Sequence, residues 1–316
     1  MLAKRPLGKT GLQVTPVGFG SQTIGGLGYG DQDFGLSEAT VTAYLEAGGR
    51  FIDSARGYGM SEVYVGKALA KFARADEVLV TSKSGSLHPP VIRSDLDVSR
   101  HCLGRDRIDI YFVHVPPPDF DQLRRVLDAY QQYKDQGKIR LIGVSCRGLA
   151  SAEERDEVLR YFEDGRIDVL QFPYGLAHVD VAPLIAAARQ RGIGTVARRT
   201  LEGGLFIDAL APGSRFADRA NDWRASLRQD VLDQILALVQ EIRRRFAVGP
   251  YTSVAQVALL YALAHPDVSA IIPGAGTPAE MRQNMTLNDL PPLPAATVDE
   301  LTKIGRKVGE LLRTAR

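Results

Sequence analysis

Lys83 closes the apolar run Val78-Leu79-Val80-Thr81-Ser82, a pattern that reads as a buried strand ending in a cation. A buried ammonium is costly unless a partner offsets it, so such a lysine needs a counter-ion or a chemical task. The preceding candidate strand, Phe51-Ile52-Asp53-Ser54-Ala55, offers Asp53, and Tyr58 follows five positions later. The next, Ile108 to His114, ends in a histidine. Side by side and parallel, these strands would bring Asp53, Tyr58, Lys83 and His114 to one rim. A tyrosine hydroxyl, with an ordinary pKa of about 10, is a poor acid or base at neutral pH. A neighbouring ammonium favours the phenolate, and an aspartate keeps that ammonium charged and oriented. A histidine carrying its proton on the right nitrogen can hold a carbonyl oxygen beside the hydroxyl. Such a set can protonate a developing alkoxide as hydride reaches the carbon, or deprotonate an alcohol in reverse.

Placing these groups together requires a parallel sheet. Runs at 17–20, 51–55, 78–83, 108–115, 139–146, 169–174, 194–199 and 270–275 read as strands. Most are continuously apolar, as expected where helices cover both faces. Between them lies helical spacing: Leu123, Val126, Leu127 and Tyr130 fall at i, i+3, i+4 and i+7 and end near Gly137, and Val254, Val257, Ala258 and Tyr261 repeat this before Pro266. Eight strand-helix units predict a closed (β/α)8 TIM barrel. The alternative is an open doubly wound sheet, whose G-x-G-x-x-G signature begins in Gly18-Phe19-Gly20-Ser21-Gln22-Thr23 but lacks its last glycine. Arg5 to Val14 reads as a hairpin around Lys9-Thr10-Gly11. After the seventh strand, a long segment with a charged helix from about Arg224 to Phe246 leaves the C-terminal rim, where barrels keep their active sites. One barrel domain over 1–316 is expected, with the hairpin in 1–16 and the rim segment over 200–252.

The 39 Lys and Arg against 37 Asp and Glu give a net charge of +2 and no reason to expect nucleic acid or a membrane surface as partner. Cys102 and Cys146 are too few for a disulfide framework and have no C-x-x-C spacing, which fits a reducing cytosol. The start Met1 to Pro6 lacks the apolar stretch of a signal peptide, and no run of about 18 apolar residues occurs. The expectation is a soluble cytoplasmic protein. His88, His101, His178 and His265 share no ligand spacing, so no metal is expected. Cys146 reads as a small buried hydrophobe. Trp223 and Tyr29, in rim loops, are candidates for a substrate wall.

Several short motifs in order, Leu7-Gly8-Lys9-Thr10-Gly11, Gly18-Phe19-Gly20, Phe51 to Glu62, Thr81-Ser82-Lys83, Val113-His114, Ile142-Gly143-Val144-Ser145 and Ile272-Pro273-Gly274, resemble the aldo-keto reductases nearly end to end. The resemblance implies a (β/α)8 barrel that binds NADP(H) in extended form without a Rossmann domain. It implies Tyr58 as general acid/base, Lys83 and Asp53 as the groups that tune it, and His114 as the group orienting the substrate carbonyl. It places Ser145 and Gln171 at the nicotinamide carboxamide, and Gly20, Ser21 and Gln22, with Asp53, at the nicotinamide end. Cys146 stands where the family often has asparagine. Arg198 stands where many members stack a tyrosine on the nicotinamide, and a guanidinium can also stack on a flat ring. The loop from Leu201 through Gly203 to Gly204 resembles the segment that wraps the pyrophosphate. Gly274, Gly276, Thr277, Glu280 and Asn284 fall at the adenosine end. There, members that grip a 2′-phosphate commonly carry a lysine near Gly274 and an arginine at Glu280. The family favours NADP(H), whereas a carboxylate at 280 suits the free ribose hydroxyl of NAD(H), with Arg282 able to supply a missing charge. The implied activity is nicotinamide-dependent reduction of a small-molecule aldehyde or ketone, or oxidation of the alcohol. Two readings of other classes stay open: a barrel aldolase using Lys83 as a Schiff base, and a non-catalytic cofactor-sensing subunit that binds an unknown partner protein.

Overall fold

A computed structural model of the chain describes residues 3–26, 33–149, 151–216 and 222–315. Strands β1 (Arg5–Pro6) and β2 (Gln13–Val14) pair antiparallel in the expected hairpin, closed by Leu7 N–H donating to the Leu12 carbonyl at 2.9 Å. Eight strands follow: β3 (Phe19–Gly20), β4 (Phe51–Asp53), β5 (Leu79–Ser84), β6 (Ile108–His114), β7 (Ile139–Ser145), β8 (Val169–Pro173), β9 (Gly194–Arg198) and β10 (Ala270–Ile271). They pair in parallel in chain order. The ring closes where Val17 bridges Ile271 and the Gly18 and Gly20 amides donate to the Ile271 and Pro273 carbonyls at 2.8 and 3.0 Å. The expected barrel is the fold, and the open sheet, which would leave β3 and β10 as edges, is not. β10 is shorter than the run 270–275 because Pro273 has no N–H to continue the ladder.

Helices α1 (Ser37–Glu46), α2 (Ser61–Lys71), α3 (Pro89–Leu103), α4 (Phe120–Asp135), α5 (Ala152–Tyr161) and α6 (Ala182–Gln190) connect successive strands, followed by α7 (Gln229–Phe246), α8 (Val254–Ala264), α9 (Pro278–Met285) and α10 (Ala295–Thr314). In α4 the Asp119 carboxylate accepts from the Asp121 and Gln122 amides, and the predicted stripe Leu123, Val126, Leu127 and Tyr130 is buried against the sheet. The charged helix after β9 begins later than its periodicity suggests. Asp222 caps a short 3₁₀ turn at Trp223–Ser226, Leu227 and Arg228 are extended, and α7 starts at Gln229. Among the described residues no helix is long and apolar enough to cross a membrane.

The barrel interior changes character along its axis. At the N-terminal end Leu7, Leu12 and Val14 of the hairpin plug it, packed with Phe51, Ile110, Phe112, Leu141, Val169, Val196 and Ala270. Above this apolar floor the buried side chains become polar: Asp53, Thr81, Lys83, Ser145 and Gln171. Water is excluded from below, so every polar group above must find its partner within the barrel.

Candidate active site

Asp53 ends β4 opposite Thr81 of β5, and Lys83 follows two residues on, on the same face of its strand. Lys83 is fully buried and donates to Asp53 Oδ2 at 2.6 Å and to the Ser54 carbonyl at 2.7 Å. An ammonium has three N–H donors, so one remains beyond these two partners. The other carboxylate oxygen of Asp53, Oδ1, accepts from Thr81 Oγ1 and from Gln171 Nε2, each at 2.8 Å. Gln171 Oε1 in turn accepts from Ser145 Oγ at 2.9 Å. A continuous polar chain therefore runs across the upper interior from β7 through β8 to β4 and β5.

Tyr58 sits in the tight turn between β4 and α2, where its amide donates to the Ala55 carbonyl at 3.1 Å and its carbonyl accepts from Ser61. Gly25 passes so close that a Cβ there would overlap the Tyr58 carbonyl oxygen, so only glycine permits this approach. Lys83 Nζ lies 4.8 Å from the centroid of the Tyr58 ring, and the His114 ring stands edge-on to it at 5.7 Å. The four side chains singled out in the sequence thus gather at the C-terminal rim. Burial, followed by the charges of Lys83, Arg198 and Arg147, lowers the His114 pKa to about 3, so the imidazole is neutral near pH 7. Val115, directly after it, has φ 65°, a rare conformation for a β-branched residue and a sign of backbone strain at the rim.

Around this centre lie the other residues named above. The Ser21 hydroxyl donates to the Asp53 carbonyl at 2.8 Å and shares a hydrogen bond with Ser61, while Gln22 precedes the short turn Thr23–Gly25. Gly20 and Gly274 mark close approaches: a Cβ would strike the Ile272 carbonyl in the first case and the Thr23 hydroxyl in the second. Cys146 is buried, and that burial pushes its thiol up to about 12, which leaves it an inert hydrophobe. Arg198 Nη2 donates to the Cys146 and Arg147 carbonyls. Burial, then the charge of Arg199, lowers the Arg198 pKa. The loop from Leu201 is held from outside, by Trp223 Nε1 to the Gly203 carbonyl at 3.3 Å and by Arg224 Nη1 to the Gly204 carbonyl at 3.2 Å. At the start of α9, Thr277 and Glu280 form a reciprocal capping box: Glu280 Oε2 accepts from the Gly276 and Thr277 amides at 2.7 and 3.3 Å, and its own amide donates to Thr277 Oγ1. Asn284 ties this turn down by donating to the Gly274 carbonyl at 3.1 Å. Tyr29 lies outside the described residues.

Three features have no counterpart in the sequence reading. Glu62, almost fully buried, accepts from Ser82 at 2.6 Å and pairs with Arg56, bracing the turn that carries Tyr58. Glu202 is buried between His178 Nε2 at 2.7 Å and Arg199, and these partners outweigh its desolvation and hold its carboxyl down at about 2. The Thr200 hydroxyl is buried with no hydrogen-bond partner among the described residues. The place of Glu62, four residues after Tyr58, and that of Arg199, three residues before Glu202, are visible in the sequence, whereas the contact of His178 with Glu202 joins separate loops. Among the described residues no three His, Cys, Asp or Glu side chains gather as a metal site would need.

Comparison with known proteins places these features in company. The aldo/keto reductase family model matches residues 16–306. The NADH-specific methylglyoxal reductase of Escherichia coli (strain K12) is 28% identical over 317 residues, spanning 90% of this chain and 93% of that one. The L-galactose dehydrogenase of Arabidopsis thaliana is 25% identical over 318 residues, spanning 95% and 89%. Among solved structures, the glycerol dehydrogenase of Gluconobacter oxydans superposes with a TM-score of 0.79 at 23% identity, covering 97% of this chain and 96% of that one. The holo form of an aldo-keto reductase from Bacillus halodurans gives 0.77 at 22% identity, covering 96% of each. At such identities the structural likeness speaks for the fold alone.

Proposed function

The chain belongs to the aldo/keto reductase family, and from that premise we propose that it reduces a small-molecule aldehyde or ketone, or oxidises the matching alcohol, with Tyr58 as the proton-transferring group. The family implies NAD(P)H as the reductant. The observation that carries the mechanistic part is the position of the Lys83 ammonium, 4.8 Å from the Tyr58 ring and pinned by Asp53 and the Ser54 carbonyl.

The rim residues would hold a reduced nicotinamide, which when bound would supply the hydride for the carbonyl carbon. The Ser145–Gln171 pair fits a carboxamide. Gln171 Nε2 has spent one of its two N–H bonds on Asp53 and Ser145 Oγ retains its lone pairs, so one donor and one acceptor remain. As negative charge builds on the carbonyl oxygen, the Tyr58 hydroxyl gives up its proton to it. Lys83 stabilises the phenolate left behind, in a site where little water screens the interaction. Asp53, fixed by Thr81 and Gln171, keeps the ammonium from turning toward any other acceptor. A neutral His114 offers its N–H to the same carbonyl oxygen and holds it beside the hydroxyl.

For the cofactor, NADH is the better fit of the two. A 2′-phosphate at the start of α9 would want the free amides of Gly276 and Thr277, but the Glu280 carboxylate already accepts from both and would repel it. The name of the Escherichia coli relative, NADH-specific, points the same way. A Schiff-base role for Lys83 finds no support, because an amine with no exposed surface and two acceptors in contact cannot meet a substrate carbonyl. Nor is there anything in the described surface to favour a sensing subunit over a working rim.

The deciding experiment is Tyr58→Phe, assayed for NADH oxidation against a panel of aldehydes and ketones. Turnover should fall by about 10²- to 10⁴-fold, while NADH still binds. A variant that keeps a tenth or more of the wild-type rate overturns the assignment.

A further inference from the structure

Tyr58 stands in the turn Arg56-Gly57-Tyr58-Gly59-Met60, with a glycine on either side. Glycine restricts the backbone less than any other residue, and Gly59 uses that freedom at φ 56°. Arg56 to Met60 are half-buried or exposed, so burial in the core does not fix them. The hydroxyl that must meet a carbonyl oxygen therefore rides on a permissive piece of chain.

Glu62 closes that piece. Its carboxylate, almost fully buried in the first turn of α2, pairs through Oε2 with Arg56 and so fastens the chain to itself across Tyr58 and both glycines. Oε1 accepts from the Ser82 hydroxyl at 2.6 Å, a charge-assisted bond that ties the same group to β5. Ser82 adjoins Lys83 and points to the other face of the strand, and the Lys83 carbonyl itself accepts from the Arg56 amide at 3.1 Å. The start of α2 is anchored from inside as well. Ser61, next to Glu62, shares hydrogen bonds with Ser21 at 2.5 Å and with Ser54 at 2.9 Å, and the Ser54 carbonyl is the one that holds Lys83 Nζ. The residues that bracket Tyr58 are thus referred to Lys83 and its neighbours.

We propose that Glu62 is a positioning residue for proton transfer: its bonds to Arg56 and Ser82 hold the turn so that the Tyr58 hydroxyl stays beside the Lys83 ammonium during the chemical step. The inference rests on the carbonyl-reduction reading above and deepens it with a residue that acts through Tyr58.

The test is single-turnover reduction by protein preloaded with NADH, with the rate taken per bound NADH so that misfolded protein does not count. 4-Nitrobenzaldehyde is the first probe, followed by the aldehyde and ketone panel. Glu62→Ala should slow the chemical step by about 30- to 100-fold, the cost of displacing the reacting atoms by about 1 Å, with the NADH dissociation constant unchanged within about threefold. Arg56→Ala, at the more exposed end of the clamp, should reproduce the loss. Glu62→Gln should recover most of it, because its amide can accept from Arg56 while donating to Ser82. The decisive comparison is made in Tyr58→Phe, where the hydroxyl that the clamp positions is gone. There Glu62→Ala should cost no more than about threefold further, since changes that act through one group are not additive. Equal fractional losses in both backgrounds would mean general structural support and overturn the proposal. So would a Glu62→Gln variant as slow as Glu62→Ala, or a loss accounted for by weaker NADH binding. A working enzyme indifferent to Glu62→Ala and Arg56→Ala removes this inference and leaves carbonyl reduction standing. A wild-type protein that reduces no carbonyl compound removes the activity reading, and this inference falls with it.

Discussion

Replacing Lys83 with Met while changing Asp53 to Asn removes both charges of the buried pair and isolates what they contribute to proton transfer. The single change Lys83→Met is less clean, because it strands the Asp53 carboxylate in an apolar surround, which costs about 3–5 kcal/mol and threatens the fold. In the wild-type protein the ammonium lies 4.8 Å from the Tyr58 ring centroid. At an effective dielectric constant of about 20, a unit charge at that distance stabilises a phenolate by about 3.5 kcal/mol. Asp53, 2.6 Å from the ammonium on the side held by Thr81 and Gln171, offsets part of this. The net stabilisation is about 2–3 kcal/mol, equivalent to about a 30- to 150-fold fall in the rate of the chemical step when both charges go. Single-turnover stopped-flow at saturating NADH and carbonyl substrate reads that step directly. A parallel NADH titration and thermal melt establish that cofactor binding and folding survive. A double variant that folds and binds NADH normally yet reduces within threefold of the wild-type rate would refute the proposed role of the ammonium.

Two further outcomes follow from the geometry. Glu280→Ala should tighten NADPH binding by about tenfold, since a carboxylate and a phosphate charge at contact repel by about 1 kcal/mol each in water, with little change for NADH; fluorescence titration with both cofactors checks this, and an unchanged NADPH affinity would argue against the capping carboxylate as the discriminator. His114 has its folded pKa lowered to about 3, so as the pH falls below about 6.5 the unfolded chain takes up a proton that the folded protein refuses, and stability present at neutral pH is progressively lost. Between pH 6.5 and 4.5 that single group should remove about 2 kcal/mol. Urea melts of the wild-type protein and of His114→Gln should therefore diverge by this amount across that range, and parallel curves would contradict a neutral, buried imidazole.

The barrel and the four side chains at its rim are legible in the sequence because both are local signals. A continuous apolar run such as Val78 to Ser82 fits a strand covered on both faces, and a charged or polar residue at its end stands out against it. The same holds for Leu123, Val126, Leu127 and Tyr130, whose spacing alone predicted the buried stripe of α4. Boundaries were less legible: the 3₁₀ turn at Trp223–Ser226 depends on the Asp222 cap, and β10 stops short because Pro273 ends the ladder. What tertiary structure decided was which polar groups meet once the ring closes. The bond from Gln171 to Asp53 spans 118 positions and exists only because β8 and β4 face one another across the interior. Glu202 lies three residues from Arg199 in its own loop, and gains its second partner only because His178 arrives from the loop after β8. Arg198 is an ordinary arginine in the sequence, and its reach to the Cys146 and Arg147 carbonyls is a property of the assembled rim. A strand's own residues carry its periodicity and therefore its burial, whereas the company that a buried polar group keeps is set by closure and register between segments far apart in the chain.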